Sequence, residues 1–351
     1  MKKLLKLLGV VMVVCCLSLT FVGCGSEYVA PDNVIGQYVL NESLINDQVV
    51  AIADCANPAD AKSVFLQSLA NYYTTDYVVQ YTSGMVDTRI AGGAIKVHQA
   101  VSSRKVRQNK DGALTIYQDN YSYTKDASVP IAIKIMEESV IGQNDVTIYR
   151  EATKKNINFD EKLGYLTVKE WKPNKTFNKY EDYAAISAND PRMFLMYNYE
   201  AIKSATFVEN VMPEGTVSYT KDDFKTIKVS LDLEKGPTSA ITFDVNGVKI
   251  LGSEFDKGYV DVMKDMLRKN GFDDAIIDFI KLDFTVEVWN NGLIKKMSND
   301  EAYIMKIALT SAIKLNGEVG LISNVYYSYD PSNEADIRNV KTFDDLTKFS
   351  K

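Results

Sequence analysis

Leu282-Asp283-Phe284-Thr285-Val286-Glu287-Val288-Trp289-Asn290-Asn291-Gly292-Leu293-Ile294 is the stretch on which the fold class turns. Leu282, Phe284, Val286 and Val288 alternate with Asp283, Thr285, Glu287 and Trp289. That is the period of a strand with one buried face. Asn291-Gly292 suits the left-handed backbone of a tight hairpin turn, and residues 293–297 begin the return. The stretch predicts antiparallel strands joined by hairpins.

The same period recurs on both sides of it. Ile95, Val97, Gln99 and Val101 oppose Lys96 and His98, and shorter runs follow at 114–117, 146–149, 165–168, 205–211 and 227–231. A hairpin is expected over 241–245 and 248–251 around Asn246-Gly247, with further strands at 303–309 and 321–329. Helical signals are fewer. Asn57-Pro58 offers a cap followed by proline at the first helical position, with Val64, Phe65, Leu69 and Tyr72 at helical spacing to about residue 73. Asp190-Pro191 repeats the signal for a helix to about 203. A third helix spans 258–269 before Asn270-Gly271, and a short one is expected at 274–280. Runs of strands with a few helices make α+β the expected class: a curved, meandering antiparallel sheet, an open half-barrel, with helices packed on one side. Neither a 20–50-residue repeat nor a low-complexity tract is present.

The amino terminus reads as a targeting segment. Lys2, Lys3 and Lys6 precede an apolar run over 7–19, interrupted by Gly9 and Ser18, and then Phe21-Val22-Gly23-Cys24. Positive start, apolar centre and small residues before a cut describe a secretory signal. Residues 4–23 also approach the ~20 apolar residues of a membrane span, so an uncleaved anchor is the alternative. Both readings put the remainder outside the cytoplasm. The expected organisation is a signal over 1–23, a tether over 24–33, one α+β domain over 34–330 with a possible subdivision near 185–190, and a polar tail over 331–351.

Two resemblances follow from these residues. Val22-Gly23-Cys24 resembles the lipobox of bacterial lipoprotein precursors, with Phe21 where that family usually has leucine. It implies a diacylglyceride thioether on Cys24, palmitate-type acylation, cleavage before the cysteine, and a lipid-anchored protein on the outer face of the cell membrane. Two acyl chains at ~0.8 kcal/mol per buried methylene hold a protein stably where one is marginal. The acylated cysteine, leading helix and meander ending in residues 284–294 are similar to the lipoprotein-carrier fold of LolA/LppX type. That similarity, over residues 58–329, implies a half-barrel holding acyl chains or other hydrophobic ligands.

Composition narrows the partners. Removing 23 residues from 351 leaves 328, enough for one large or two modest domains. The leader carries three lysines, so its loss moves the formal charge from −6 to −9. An acidic surface disfavours nucleic acid and anionic headgroups. Cys15 and Cys16 leave with the signal and Cys24 is acylated, so Cys55 alone remains and an internal disulfide is impossible. The 46% hydrophobic residues must supply the core.

Chemical motifs are sparse. His98 is the sole histidine, which removes HExxH sites and leaves any triad dependent on it. Cys55 with His98 is a formal nucleophilic pair, but Cys55 lacks the flanks of thiol-protease signatures. Glu137-Glu138 and Glu181-Asp182 read as solvated charge, since neighbours on a strand face opposite ways. Asp330, Asn333, Glu334 and Asp336 lack calcium-loop spacing, so no metal is expected. Ala91-Gly92-Gly93-Ala94 lacks the remainder of a phosphate loop and reads as a turn, and no cofactor is implied. Tyr117, Tyr121, Tyr123 and the run Tyr326-Tyr327-Ser328-Tyr329 offer an aromatic sheet face for a wall polymer or protein partner. Met193 and Met196 in the second helix, with Met263 and Met266 in the third, are the candidates for lining an apolar ligand cavity. The expectation is therefore a non-enzymatic, extracytoplasmic protein binding a hydrophobic or amphipathic ligand. An envelope interaction protein is the second reading and a hydrolase the third.

Overall fold

Long stretches of alternating apolar and polar residues fold into strands, with two α-helices among the described residues. The computed structural model describes residues 48–110, 113–128, 134–142, 147–152, 157–160, 165–168, 172–177, 197–212, 215–238, 243–245, 248–250, 259–269, 272–308 and 314–329. Among the described residues a 3-10 turn (Ile52–Asp54) precedes helix α1 (Ala61–Thr74), which is followed by β1 (Tyr77–Ile90), β2 (Ile95–Lys110), β3 (Ala113–Ala127), β4 (Lys134–Gly142), β5 (Thr147–Ala152), β6 (Ile157–Asp160), β7 (Tyr165–Val168) and β8 (Lys172–Phe177). After a 3-10 turn at Tyr199–Ala201 come β9 (Ile202–Val208), β10 (Phe224–Leu231), β11 (Phe243–Val245), β12 (Val248–Ile250), helix α2 (Tyr259–Lys269), β13 (Ile276–Trp289), β14 (Ile294–Ala308) and β15 (Lys314–Ser328).

Eleven strands form one open antiparallel sheet in the order β8-β5-β4-β3-β2-β1-β15-β14-β13-β10-β9. Hairpins generate β5 to β1 and β15 to β13 as two meanders. Pairing of β1 with β15, from Val79 opposite Ser328 to Ile90 opposite Gly317, joins them into one surface. The sheet therefore includes strands from both sides of residues 185–190. The β6-β7 and β11-β12 pairs are separate two-stranded sheets. Gly292, with φ +86°, and the Trp289–Gly292 hydrogen bond of 2.8 Å close the β13–β14 turn announced by Asn291-Gly292.

One face of the sheet carries the core. Val286 and Val288 of β13, Ile294, Met297 and Met305 of β14, and Val319, Leu321 and Val325 of β15 are buried on it. Helix α1 lies between this face and the β11-β12 hairpin, touching β9, β10, β13 and β14. Having neighbours on two sides explains why it buries polar Gln67, Ser68 and Asn71 as well as Phe65 and Leu69. The ring of Phe65 meets Tyr199 at 5.8 Å and Phe284 at 6.1 Å. Arg107 of β2 fixes the helix end: its guanidinium donates to the carbonyls of Tyr72, Tyr73 and Thr75 and lies 4.6 Å from the Tyr72 ring centroid. A cation there satisfies terminal carbonyls and suits the helix dipole.

Several expectations need correction. The cap of α1 is Asp60, whose carboxylate accepts from Lys62 N at 3.3 Å and Ser63 N at 3.1 Å; Asn57 instead accepts from Asp60 N in the preceding turn. No helix reaches 203, because Asn198 caps only a 3-10 turn and β9 begins at Ile202. Residues 190–196 lie outside the described residues. Residues 276–280 belong to β13, where a bulge between Phe279 and Lys281 makes Ile280 an extra residue and breaks the period. The strands expected at 293–297 and 303–309 are one strand, β14.

Candidate functional site

At the β9 edge, a hollow of about 480 Å³ is lined by Ile52, Pro58, Ala59, Phe207, Val208, Glu209, Asn210, Lys225 and Thr226. Its walls come from two parts of the chain. A 3-10 turn at Ile52–Asp54 is tied down by Ile52 N donating to Asn290 O at 2.9 Å, and Pro58 and Ala59 follow in the turn before Asp60. The opposite wall is the last strand of the sheet, with Phe207 paired to Ile227 and Val208 to Thr226. Phe207 remains 39% exposed and Val208 41% exposed, although strand neighbours of this type normally bury them.

Asn210 organises the polar side. Its amide donates to the carbonyls of Lys221 at 2.6 Å and Phe224 at 2.7 Å, and its oxygen accepts from the Thr226 hydroxyl at 2.8 Å. Those bonds leave Glu209 and Lys225 as the charged groups at the rim. Apolar walls with a few polar groups on one side suit an amphipathic molecule, and 480 Å³ falls within the ~300–1,000 Å³ of small-ligand sites.

A second polar feature lies inside the fold. Glu301 occupies a core-facing position of β14, between Leu282 of β13 and Leu321 of β15, and is 3% exposed. The Tyr197 hydroxyl donates to its carboxylate. Burial pushes the Glu301 carboxyl up to about 7, and the hydroxyls of Tyr197 and Tyr259 offset this only in part. Tyr197 stacks on Phe284 at 6.0 Å and meets Tyr259 edge-on at 5.5 Å, so the carboxyl ties β14 to the chain before β9 and to α2. A carboxyl in this state exchanges a proton near neutrality.

The residues anticipated from sequence are dispersed. Met263 is fully buried in the core beneath α2, away from the hollow. The backbone of Met266 lies on α2, whereas Met193 and Met196 fall outside the described residues. Cys24 does too. Cys55 is buried with its thiol directed at Ala51 O at 3.5 Å, and burial with neighbouring Asp54 raises its pKa. His98 projects half-exposed from the other face of the sheet, 3.6 Å from Asp87, whereas Cys55 lies in the core, so Cys55 and His98 form no dyad. Residues 91–94 make the β1–β2 turn, with Gly92 and Gly93 at positive φ. Glu137 and Glu138 are successive positions of β4; Glu181-Asp182 and residues 330–336 lie outside the described residues. Tyr117, Tyr121 and Tyr123 lie along β3. Tyr327 and Tyr329 turn into the core, leaving Tyr326 on the outer face beneath Lys296 at 5.3 Å.

Among the described residues no three His, Cys, Asp or Glu side chains converge as metal ligands, and no helix is long and apolar enough to cross a membrane. No family model, curated protein or solved structure matches the chain.

Proposed function

We propose that this chain is a non-enzymatic lipoprotein, anchored through Cys24 to the outer face of the cell membrane, that binds a hydrophobic or amphipathic ligand at the β9 edge. The observation that carries the reading is the hollow of about 480 Å³ whose Phe207 and Val208 stay exposed beside the charged Lys225. Exposed apolar groups inside a concavity gain by covering an acyl chain, at ~25 cal/mol per Å² removed from water. Lys225 offers a cation to an anionic head at the rim, and Glu209 the opposite charge. In this reading the protein works in the manner of the lipoprotein carriers, with the ligand at the edge of the sheet instead of beneath its helices.

The test is displacement of a fluorescent fatty-acyl probe from the protein and from Phe207→Asp. Saturable binding that the substitution abolishes supports the proposal; equal binding by both proteins contradicts it. Acylation is tested separately by the mass of the membrane-extracted protein and of Cys24→Ser, which must lack the lipid increment.

A specific observation favours the second reading, an interaction protein. Strand β9 ends the sheet, and Phe207, Val208, Val211 and Val217 expose apolar surface along and beyond it. A partner strand pairing there would use the outward backbone groups of β9, the end strand of the sheet among the described residues. That reading requires hydrogen exchange at residues 202–208 to slow on adding the partner, with no acyl probe bound.

A further inference from the structure

On the sheet face opposite the core, three aromatic rings surround a single ammonium group. Lys295 Nζ lies 4.6 Å from the Tyr219 ring centroid, 4.4 Å from Phe224 and 5.4 Å from Trp289. The rings stand almost at right angles to one another: 90° between Tyr219 and Trp289, 83° between Tyr219 and Phe224, 78° between Phe224 and Trp289. They form three walls of a box. The Glu287 carboxylate closes a further side through an ion pair with Lys295.

The arrangement is constructed by the backbone. In the β13–β14 register Glu287 pairs with Lys296 and Val288 with Ile294, so Lys295 is the extra residue of a bulge. A bulge re-aims a side chain, and here it directs Lys295 into the box, where 10% of the side chain remains exposed. Tyr219 is brought in by a loop held on both sides: Thr220 N donates to Asp223 at 2.6 Å, and the Asn290 amide to Asp222 O at 2.8 Å.

We infer that Tyr219, Phe224, Trp289 and Glu287 form a cation site for a methylated ammonium group, with Lys295 as the resident cation such a ligand replaces. Ring faces attract cations whatever their substituents, whereas a lysine ammonium is strongly hydrated and loses more on leaving water. A quaternary ammonium has no N–H groups to desolvate and contacts the rings through its methyl carbons. Centroid distances of 4.4–5.4 Å accommodate those methyl groups. The released Lys295 returns to solvent, which rewards its charge. Thr226, opposite Glu287 and two residues from Phe224 on β10, lines the hollow at the β9 edge, so the box adjoins it along β10. This inference does not rest on acyl binding there.

The test follows Trp289 fluorescence in the full chain carrying Trp171→Phe, titrated with tetramethylammonium chloride against sodium chloride of equal ionic strength. Saturable quenching by tetramethylammonium alone is expected. Lys295→Ala, which removes the internal competitor, binds about tenfold tighter. Glu287→Gln with the lysine retained binds more weakly. Tert-butanol, a neutral molecule of similar shape, produces no saturable change. Phosphocholine and N-acetyl-trimethyllysine are titrated alongside; tighter binding of either one supports the site and identifies the source of the cation. Absence of saturable binding to the chain with Lys295 intact overturns the inference even if Lys295→Ala binds. Equal binding of tert-butanol also overturns it.

Discussion

The phenol of Tyr197 donates a hydrogen bond to the carboxylate of Glu301, joining the chain before β9 to the centre of the sheet. A carboxyl 3% exposed and surrounded by tyrosines holds its proton to about pH 7, compared with an ordinary value of 4.5. Between these values the native state binds a proton that the unfolded chain has released. Stability is therefore greatest below about pH 4.5 as far as this group is concerned, falls as pH rises to about 7, and then levels off. The loss amounts to about 3 kcal/mol. Urea unfolding at pH 5 and pH 8 should show the decline in the natural chain and a flatter profile in Glu301→Gln, whose amide carries no charge at either pH.

Asn71 makes the opposite kind of buried polar contact, fully satisfied. Its amide donates to Val50 O at 2.8 Å and Gly292 O at 2.9 Å, and its oxygen accepts from Val50 N and Gln67 at 3.0 Å. Asn71→Leu leaves three backbone groups without partners, at ~1–3 kcal/mol each. Gly292→Ala adds a methyl group that collides with Val50 O and Asn71 Nδ2 at a φ of +86°. Both variants should unfold at lower urea concentration, with Asn71→Leu losing at least about 2 kcal/mol.

The legible part of the fold is the part whose alternation is unbroken. Leu282 to Val288 announced β13, and Asn291-Gly292 its turn. Asn299 and Glu301 disguised the middle of β14, because two polar side chains stand on the apolar parity. The signal was present, since Met297 and Tyr303 continue that parity on either side. The bulge at Ile280 spaced Phe279 and Leu282 three apart, a helical interval inside a strand. Pairing of β1 with β15 left no local trace, as its partners lie far apart in sequence. The hollow was hidden for the same reason: Ile52 and Phe207 meet only after the sheet is assembled.

Phe207 separates binding from stability. At 39% exposure it contributes less than a core residue, so Phe207→Asp should lower stability by only about 1 kcal/mol while removing acyl-probe binding. Phe65→Ala, made in the fully buried helix face, should instead cost ~3–5 kcal/mol.

Cys55 is a packed thiol. Burial and the adjacent Asp54 raise its pKa, so less thiolate is present than for a free cysteine at equal pH. Reaction with a disulfide reagent at pH 8 should be slow in the folded protein and accelerate on adding urea. Rapid labelling under native conditions would show that the thiol is accessible.

The most direct measurement of the central claim is photolabelling of the full chain with a diazirine-bearing fatty acid, followed by peptide mapping. The proposal places the label on peptides containing Ile52 to Ala59 and Phe207 to Asn210, with protection by excess unlabelled fatty acid. Labelling confined to other peptides, or labelling that excess ligand does not suppress, would contradict it.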